Sequence, residues 1–118
     1  MAHQRTPDVT GADVERIVLR DFPSGSLRAL EILNQYGAEE WHREPDRVRL
    51  AALKLAAGSI DALRSAVETA KRDYRDVVAL AEYPEYSRSM SPSRAVARAE
   101  RERIIAADWR QYSEWLAR

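Results

Sequence analysis

The stretch Val48–Ala57, VRLAALKLAA, is the most apolar helical segment of the sequence. On a helix of 3.6 residues per turn, one broad face carries Val48, Ala51, Ala52, Leu55 and Ala56. Leu50 and Leu53 fall on the opposite side, among charged residues. A surface helix has no reason to carry two leucines there, so this helix is predicted to contact neighbours on two sides. We therefore expect it at the centre of an all-α domain.

The composition is that of one globular domain. The chain has 118 residues, of which 45% are apolar and 32% charged, and a domain of this length buries roughly two-thirds of its unfolded surface. Four glycines and five prolines favour long helices over many short strands. The N-terminus has no apolar leader segment, and no apolar run is long enough to span a bilayer, so a cytoplasmic protein without membrane contact is expected.

Residue types exclude several kinds of chemistry. The chain has no cysteine, so disulfides, thiolate zinc sites and cysteine nucleophiles cannot form. Histidine occurs twice, and glycine-rich phosphate loops, Gly-x-Ser-x-Gly and His-Glu-x-x-His are absent from the sequence. We therefore expect a protein that is not an enzyme and that uses no cofactor or metal.

The formal charges balance, with 19 basic and 19 acidic residues. Domains that bind nucleic acid usually carry a basic excess, so this balance argues against a nucleic-acid partner. Nearly all of the basic residues are arginine. That choice is compatible with anion binding, but a GC-rich genome explains it more simply.

Five to six helices are predicted, in an irregular bundle that ends in a long C-terminal helix. Residues 1–9 are predicted to form a loose tail. Thr10 and Asp13 then have the spacing of a capping box, which predicts a first helix from about Gly11 to Arg20. The turn that follows contains Pro23, which disfavours helix at the residue before it.

A second helix is predicted to be capped by Ser24 or Ser26. Its core face follows helical spacing and carries Ala29, Ile32, Leu33 and Tyr36. Gly37 lies where a glycine commonly ends a helix. Pro45 is placed as the first residue of the central helix, where its missing N–H is not needed.

Gly58 is predicted to end the central helix, and Ser59 to cap the next one. The helical pattern is then interrupted near Asp73. Either a new helix begins there, capped by Asp73, or a single helix continues through 60–82. Both possibilities stay open at the level of sequence. Pro84 ends this region, residues 84–93 are predicted to form a polar linker, and the last helix is predicted from about 92 to 118.

One face of that last helix changes character along its length. Its first half is basic and its second half is apolar, through Arg94, Arg98, Arg101, Ile105, Trp109, Tyr112 and Leu116. The second half can pack on the core, whereas the first half must project into water or meet an acidic partner. Ile104 and Trp115 lie on a different side, which indicates a second contact surface.

We therefore predict a protein–protein interaction module that self-associates as a homodimer. The predicted surface consists of Arg94, Arg98, Arg101, Ile104, Trp109, Tyr112 and Trp115. A solvated arginine face on a helix that packs only on its own domain is the simpler interpretation of the arginines. A pocket for a small ligand or an acidic metabolite is a third possibility.

The main alternative is a DNA-binding regulator. Residues 47–70 have the outline of a helix-turn-helix, in which the helix after Gly58 supplies the recognition face. Its basic residues would be Arg64, Lys71 and Arg72. Asp61 and Glu68 lie among them and would repel phosphate.

Two smaller motifs have structural interpretations that we favour. Glu39 and His42 have the Glu-x-x-His spacing of bundle metal sites, but such sites need a second copy and further carboxylates. Asp73 and Asp76 are a carboxylate pair that could perform acid–base chemistry, yet helix capping explains Asp73 more simply.

The segments REPDRVRLAALKLAAGSID (43–61) and DYRDVVALAEYP (73–84) resemble a region of small uncharacterised bacterial helical proteins. The resemblance extends back to DFP at 21–23 and covers about half of the chain. It implies a bacterial, cytoplasmic setting. No function and no catalytic residues come with it.

Overall fold

The computed structural model describes residues 6–89 and 98–118, and within these ranges the protein is an all-α bundle of six helices without strands. The helices are α1 (Gly11–Asp21), α2 (Ser26–Leu33), α3 (Pro45–Ala56), α4 (Ile60–Glu82), α5 (Pro84–Ser89) and α6 (Arg98–Ala117). The predicted fold class, including the long C-terminal helix, is confirmed. The predicted start of that helix near residue 92 lies outside the described residues. Within the described ranges, no helix is both long and apolar enough to cross a lipid bilayer.

The central helix α3 is buried on two sides, as its sequence predicts. Leu50 and Leu53 are 0% exposed, and the alanines of the opposite face are also buried. Leu55 alone among its predicted core residues stays partly exposed. α3 packs along α4 more extensively than any other pair of helices and also lies against α1. The hydrophobic core is therefore built around this helix.

Local capping rules predict several helix ends but neither end of α2, which ends at Leu33 with Asn34 as its C-cap and not at the predicted Gly37. The backbone N–H of Thr10 donates to Asp13 Oδ2 at 2.9 Å, which confirms the predicted capping box of α1. The predicted serine cap of α2 is wrong, because Gly25 occupies the N-cap position without a side-chain bond. In the turn after α1, the N–H of Gly25 donates to the carbonyl of Phe22. Ser26 is therefore the first residue of α2 and cannot be its N-cap.

The connection between α3 and α4 is a sharp left-handed turn. Ala57 and Gly58 have φ values of 49° and 83°, and the Ser59 hydroxyl accepts a bond from the N–H of Ala62 at 3.2 Å. The predicted Ser59 cap is confirmed. The left-handed conformation costs an alanine roughly 1–2 kcal/mol, so the packing of α3 on α4 must hold Ala57 in place.

α4 is broken at Asp73, which has the extended dihedral angles φ −153° and ψ 95°. The side chain of Asp73 accepts a bond from the N–H of Arg75 at 3.1 Å. The helix therefore consists of two pieces, 60–72 and 74–82. The first of the two possibilities left open by the sequence, a new helix capped by Asp73, is the one observed.

Two segments predicted to be irregular are partly ordered against the domain. Pro7 is buried and Val9 packs on the core, although both belong to the predicted loose tail. The predicted linker begins instead as the helix α5, whose first amides, from Glu85 and Tyr86, donate to the Asp108 carboxylate of α6 at 3.2 and 2.9 Å. This tertiary cap is what lets a short helix start directly after α4. The rest of the linker, 90–93, lies outside the described residues.

Candidate functional site

The second half of α6 closes the core of its own domain. Tyr112 is 2% exposed and Trp115 is 8% exposed, and their ring centroids lie 5.5 Å apart. The sequence placed both residues on a surface for self-association, and this placement is wrong for this fold. Helical spacing shows which face of α6 each of them occupies. In the structure, the residues that cover these faces belong to the same chain.

Two arginines of α1 hold the C-terminal end of α6. Arg16 donates to the carbonyl of Leu116 at 2.6 Å, and Arg20 donates to the carbonyl of Trp115 at 2.7 Å. The Arg20 guanidinium also lies 5.2 Å from the centroid of a Trp115 ring. The last carbonyls of a helix lack intrahelical partners and carry partial negative charge, so cations from a neighbouring helix stabilise them. This contact fixes α6 against its own domain.

The first half of α6 extends beyond that core. Arg98 and Arg101 are exposed, while Ile104 and Trp109 are half-buried. Arg98 forms an ion pair with Glu102 one turn later, with 3.4 Å between Nε and Oε1. Arg94, the remaining residue of the predicted surface, lies outside the described residues. Among the described residues of the predicted surface, Arg98 and Arg101 are therefore the ones that are exposed.

A buried ion pair ties α3 to the end of α4. Both oxygens of Glu82 accept bonds from Arg47, each at 2.8 Å, and Glu82 is buried. Hydrogen bonding to Glu82 raises the pKa of Arg47, so the guanidinium stays charged. Gln111 of α6 donates to the backbone carbonyls of Ala81 and Glu82. The geometry is that of a structural clamp.

The Tyr112 hydroxyl next to this clamp finds no hydrogen-bond partner among the described residues. It borders a cavity of about 10 Å³ that Glu82 and Trp109 also line. Burial, and secondarily the negative charge of Glu82, raise the pKa of Tyr112. Burial also raises the pKa of Tyr36 and Tyr83. The folded protein therefore holds these phenolic protons more tightly than the unfolded chain does.

The protein is expected to lose stability as the pH rises above 10, the ordinary tyrosine value. Below that pH both states keep their protons. Above it the unfolded chain ionises first, which favours unfolding by up to about 1.4 kcal/mol per pH unit for each raised tyrosine. Urea unfolding between pH 8 and 11 measures this slope. Tyr112→Phe is expected to reduce it, whereas Tyr86→Phe is the matched control at a partly exposed tyrosine. Equal slopes in Tyr112→Phe and the parent would contradict the assignment.

His42 has a local structural role. Its Nδ1 accepts bonds from the N–H groups of Gly37 and Glu39 at 2.8 and 3.3 Å, and its ring stacks on Tyr36 with centroids 4.6 Å apart. In this structure His42 therefore stabilises a local turn, and Glu39 and His42 do not form a pair of metal ligands. In the ranges 6–89 and 98–118, no three metal-ligating side chains form a group that could hold an ion.

An exposed tryptophan lies opposite the break in α4. Trp41 is 70% exposed and lines a cleft of about 240 Å³ together with Tyr74 and the basic residues Lys71, Arg72 and Arg75. Tryptophan, tyrosine and arginine are the residues most enriched at binding hot spots. Sequence analysis missed this site, although Trp41 in a polar stretch was the available signal.

Acidic and basic residues lie together on the face of α4 that was predicted to recognise DNA. Arg64 is paired with Asp61 at 3.4 Å, and Lys71 with Glu68 at 2.8 Å. Two of the three basic residues of the predicted recognition face are therefore paired with a carboxylate from their own helix. Arg72 is exposed at the end of that face.

A wide cleft lies where α1, α3 and α6 end. Its volume is about 640 Å³, and its lining includes Lys54, Trp115, Arg118 and the Ala57–Gly58 turn. Burial lowers the pKa of Lys54, which is half-buried. The sequence did not indicate this site, because its residues come from three helices that are distant along the chain.

Comparison with known proteins adds no further constraint, since no family model, curated protein or solved structure matches the chain.

Proposed function

We propose that the protein is a non-enzymatic interaction module that forms a homodimer through the first half of α6. The observation that carries the proposal is that residues 98–107 extend past the buried core of their own domain. This segment exposes Arg98 and Arg101 and leaves Ile104 and Ile105 only half-buried. In described residues, α6 packs mainly on α4 and α5, so this end of the helix keeps an open face.

The open face is self-complementary in charge. Arg98, Arg101, Glu102 and Ile105 share it by helical spacing. In an antiparallel pair related by a two-fold axis, Arg101 of one copy lies opposite Glu102 of the other. The same register places Arg98 opposite Ile105, where the arginine stem can cover the isoleucine. A second copy of this chain therefore fits the face better than a uniformly acidic partner.

The dimer is expected to be weak and sensitive to salt. Exposed ion pairs contribute roughly 0.2–1 kcal/mol each, and the two symmetry-related pairs are screened at high ionic strength. Burying the exposed part of each isoleucine adds about 1 kcal/mol. Association should thus depend on protein concentration over the micromolar to millimolar range.

Sedimentation equilibrium of charge-swap variants tests the proposal. Arg101→Glu and Glu102→Arg are each expected to weaken the dimer about tenfold, because each places like charges opposite one another. The double variant R101E/E102R is expected to restore it, since the inverted pair is again complementary. Arg110→Glu changes the same charge at an exposed position on the other side of α6 and serves as the control. Circular dichroism verifies that all four variants stay folded.

Two results would contradict this assignment. One is a parent protein that stays monomeric at millimolar concentration and low salt. The other is a double variant that associates no better than either single variant, because the charges would then not face each other across a two-fold axis.

A further inference from the structure

The half-buried Lys54 lines the wide cleft at the ends of α1, α3 and α6 and feels the charge of Asp108 without contacting it closely enough to form an ion pair. Among the described residues, its ammonium group makes no hydrogen bond or ion pair. The chain's other lysine, Lys71, is paired with Glu68 at 2.8 Å. Removing part of the hydration shell from a cation costs free energy unless an anion or dipole compensates it. Lys54 is thus a charge in need of a partner, and it lines a cleft that is open to solvent.

A second cation lies close to Lys54. Arg118 also lines the cleft, and its charge lowers the Lys54 pKa, although by less than the charge of Asp108 raises it. The Arg118 guanidinium is exposed and makes no ion pair with a described residue. Two like charges that line the same cleft favour an anion over water there.

The acidic residues nearby do not fill this position. Asp21 is paired with Arg20 at 2.9 Å. Asp108 attracts Lys54, but both its oxygens accept amide protons from α5. Glu114 is exposed at the edge of the cleft. The helix ends themselves contribute partial negative charge, and Arg16 and Arg20 already bind the last carbonyls of α6.

We propose that this cleft binds a small organic anion, whose carboxylate or phosphate group lies between Lys54 Nζ and the Arg118 guanidinium. The cleft volume of about 640 Å³ is in the range of small-molecule sites. The Trp115 ring and the Ala57–Gly58 turn form its other walls, so the remainder of the ligand packs on a flat aromatic surface. This site is independent of the α6 face proposed for self-association.

The presence of only two lysines makes nuclear magnetic resonance a direct test. The pH titrations of both lysine side chains are recorded with inorganic phosphate, with succinate, and with chloride at equal ionic strength. Phosphate or succinate is expected to raise the Lys54 pKa by about one unit relative to chloride, whereas Lys71 reports general salt effects. A response to one anion alone identifies the preferred group. If neither anion moves Lys54 more than Lys71, the proposal is overturned.

Thermal unfolding of variants distinguishes an anion site from a cation that merely stabilises the end of α3. In chloride, Lys54→Met is expected to melt no lower than the parent, because the substitution removes an uncompensated charge. It is also expected to lose the upward Tm shift of a few degrees that the bound anion causes in the parent. Lys71→Met is expected to keep that shift. Arg118→Gln is expected to reduce it by at least half, which keeps the test available if the Lys54 variant does not fold. A Lys54→Met variant that melts lower in chloride yet keeps the anion shift would refute the site.

Discussion

Replacing Leu53 by aspartate is expected to abolish the cooperative unfolding transition. Leu53 is 0% exposed at the centre of the helix around which the core is built. A carboxylate there has no cationic partner, and burying an unpaired charge costs several kcal/mol even after relaxation. The lost leucine packing adds about 2–5 kcal/mol. Together these terms match the 5–15 kcal/mol that typically separates folded from unfolded states.

Differential scanning calorimetry and urea unfolding measure this effect. The matched control is Leu27→Asp, the same substitution at a leucine of α2 that is 78% exposed. It is expected to change the free energy of unfolding by no more than about 0.5 kcal/mol. If Leu53→Asp melts as cooperatively and at the same temperature as the parent, α3 is not the centre of the core.

Glu82→Ala is expected to lower the free energy of unfolding by about 3 kcal/mol. The substitution leaves the Arg47 guanidinium, whose side chain is 18% exposed, without its bidentate partner. Removing one member of a buried ion pair typically costs 3–5 kcal/mol, because the other charge stays desolvated. Glu44, which lies 3.2 Å from Arg47 and is half-exposed, compensates in part and places the expected loss at the lower end of that range.

Urea unfolding of two further variants separates the ion pair from simple packing. The double variant R47M/E82L replaces both partners by apolar side chains of similar size, and it is expected to be close to the parent in stability. Glu68→Ala breaks the exposed pair with Lys71 and is expected to cost less than about 1 kcal/mol. Equal losses for Glu82→Ala and Glu68→Ala would show that burial does not strengthen the Arg47–Glu82 contact.

Features governed by near neighbours in the chain were predictable. The capping box at Thr10, the Ser59 cap and the placement of Pro45 at the start of α3 depend on residues within one helical turn. The burial of Leu50 and Leu53 was predictable for a related reason, because helical periodicity shows which sides of a helix are apolar. The predicted serine cap of α2 was wrong because Ser24, Gly25 and Ser26 are neighbours that local rules rank nearly equally as N-caps.

The site residues depended on contacts that sequence spacing does not reveal. Helical periodicity placed Tyr112 and Trp115 on faces of α6 that must be covered. Whether another copy or the same domain covers them depends on how α6 packs against the other helices. The arginines of α1 that hold α6 are about 100 positions away from the carbonyls they bind. Lys54 and Arg118 likewise line one cleft only because three helix ends converge there. Local sequence thus determined most of the helical segments, several of their ends and their apolar faces, whereas tertiary packing decided which faces are closed, where α5 starts and which charges remain without an ion pair.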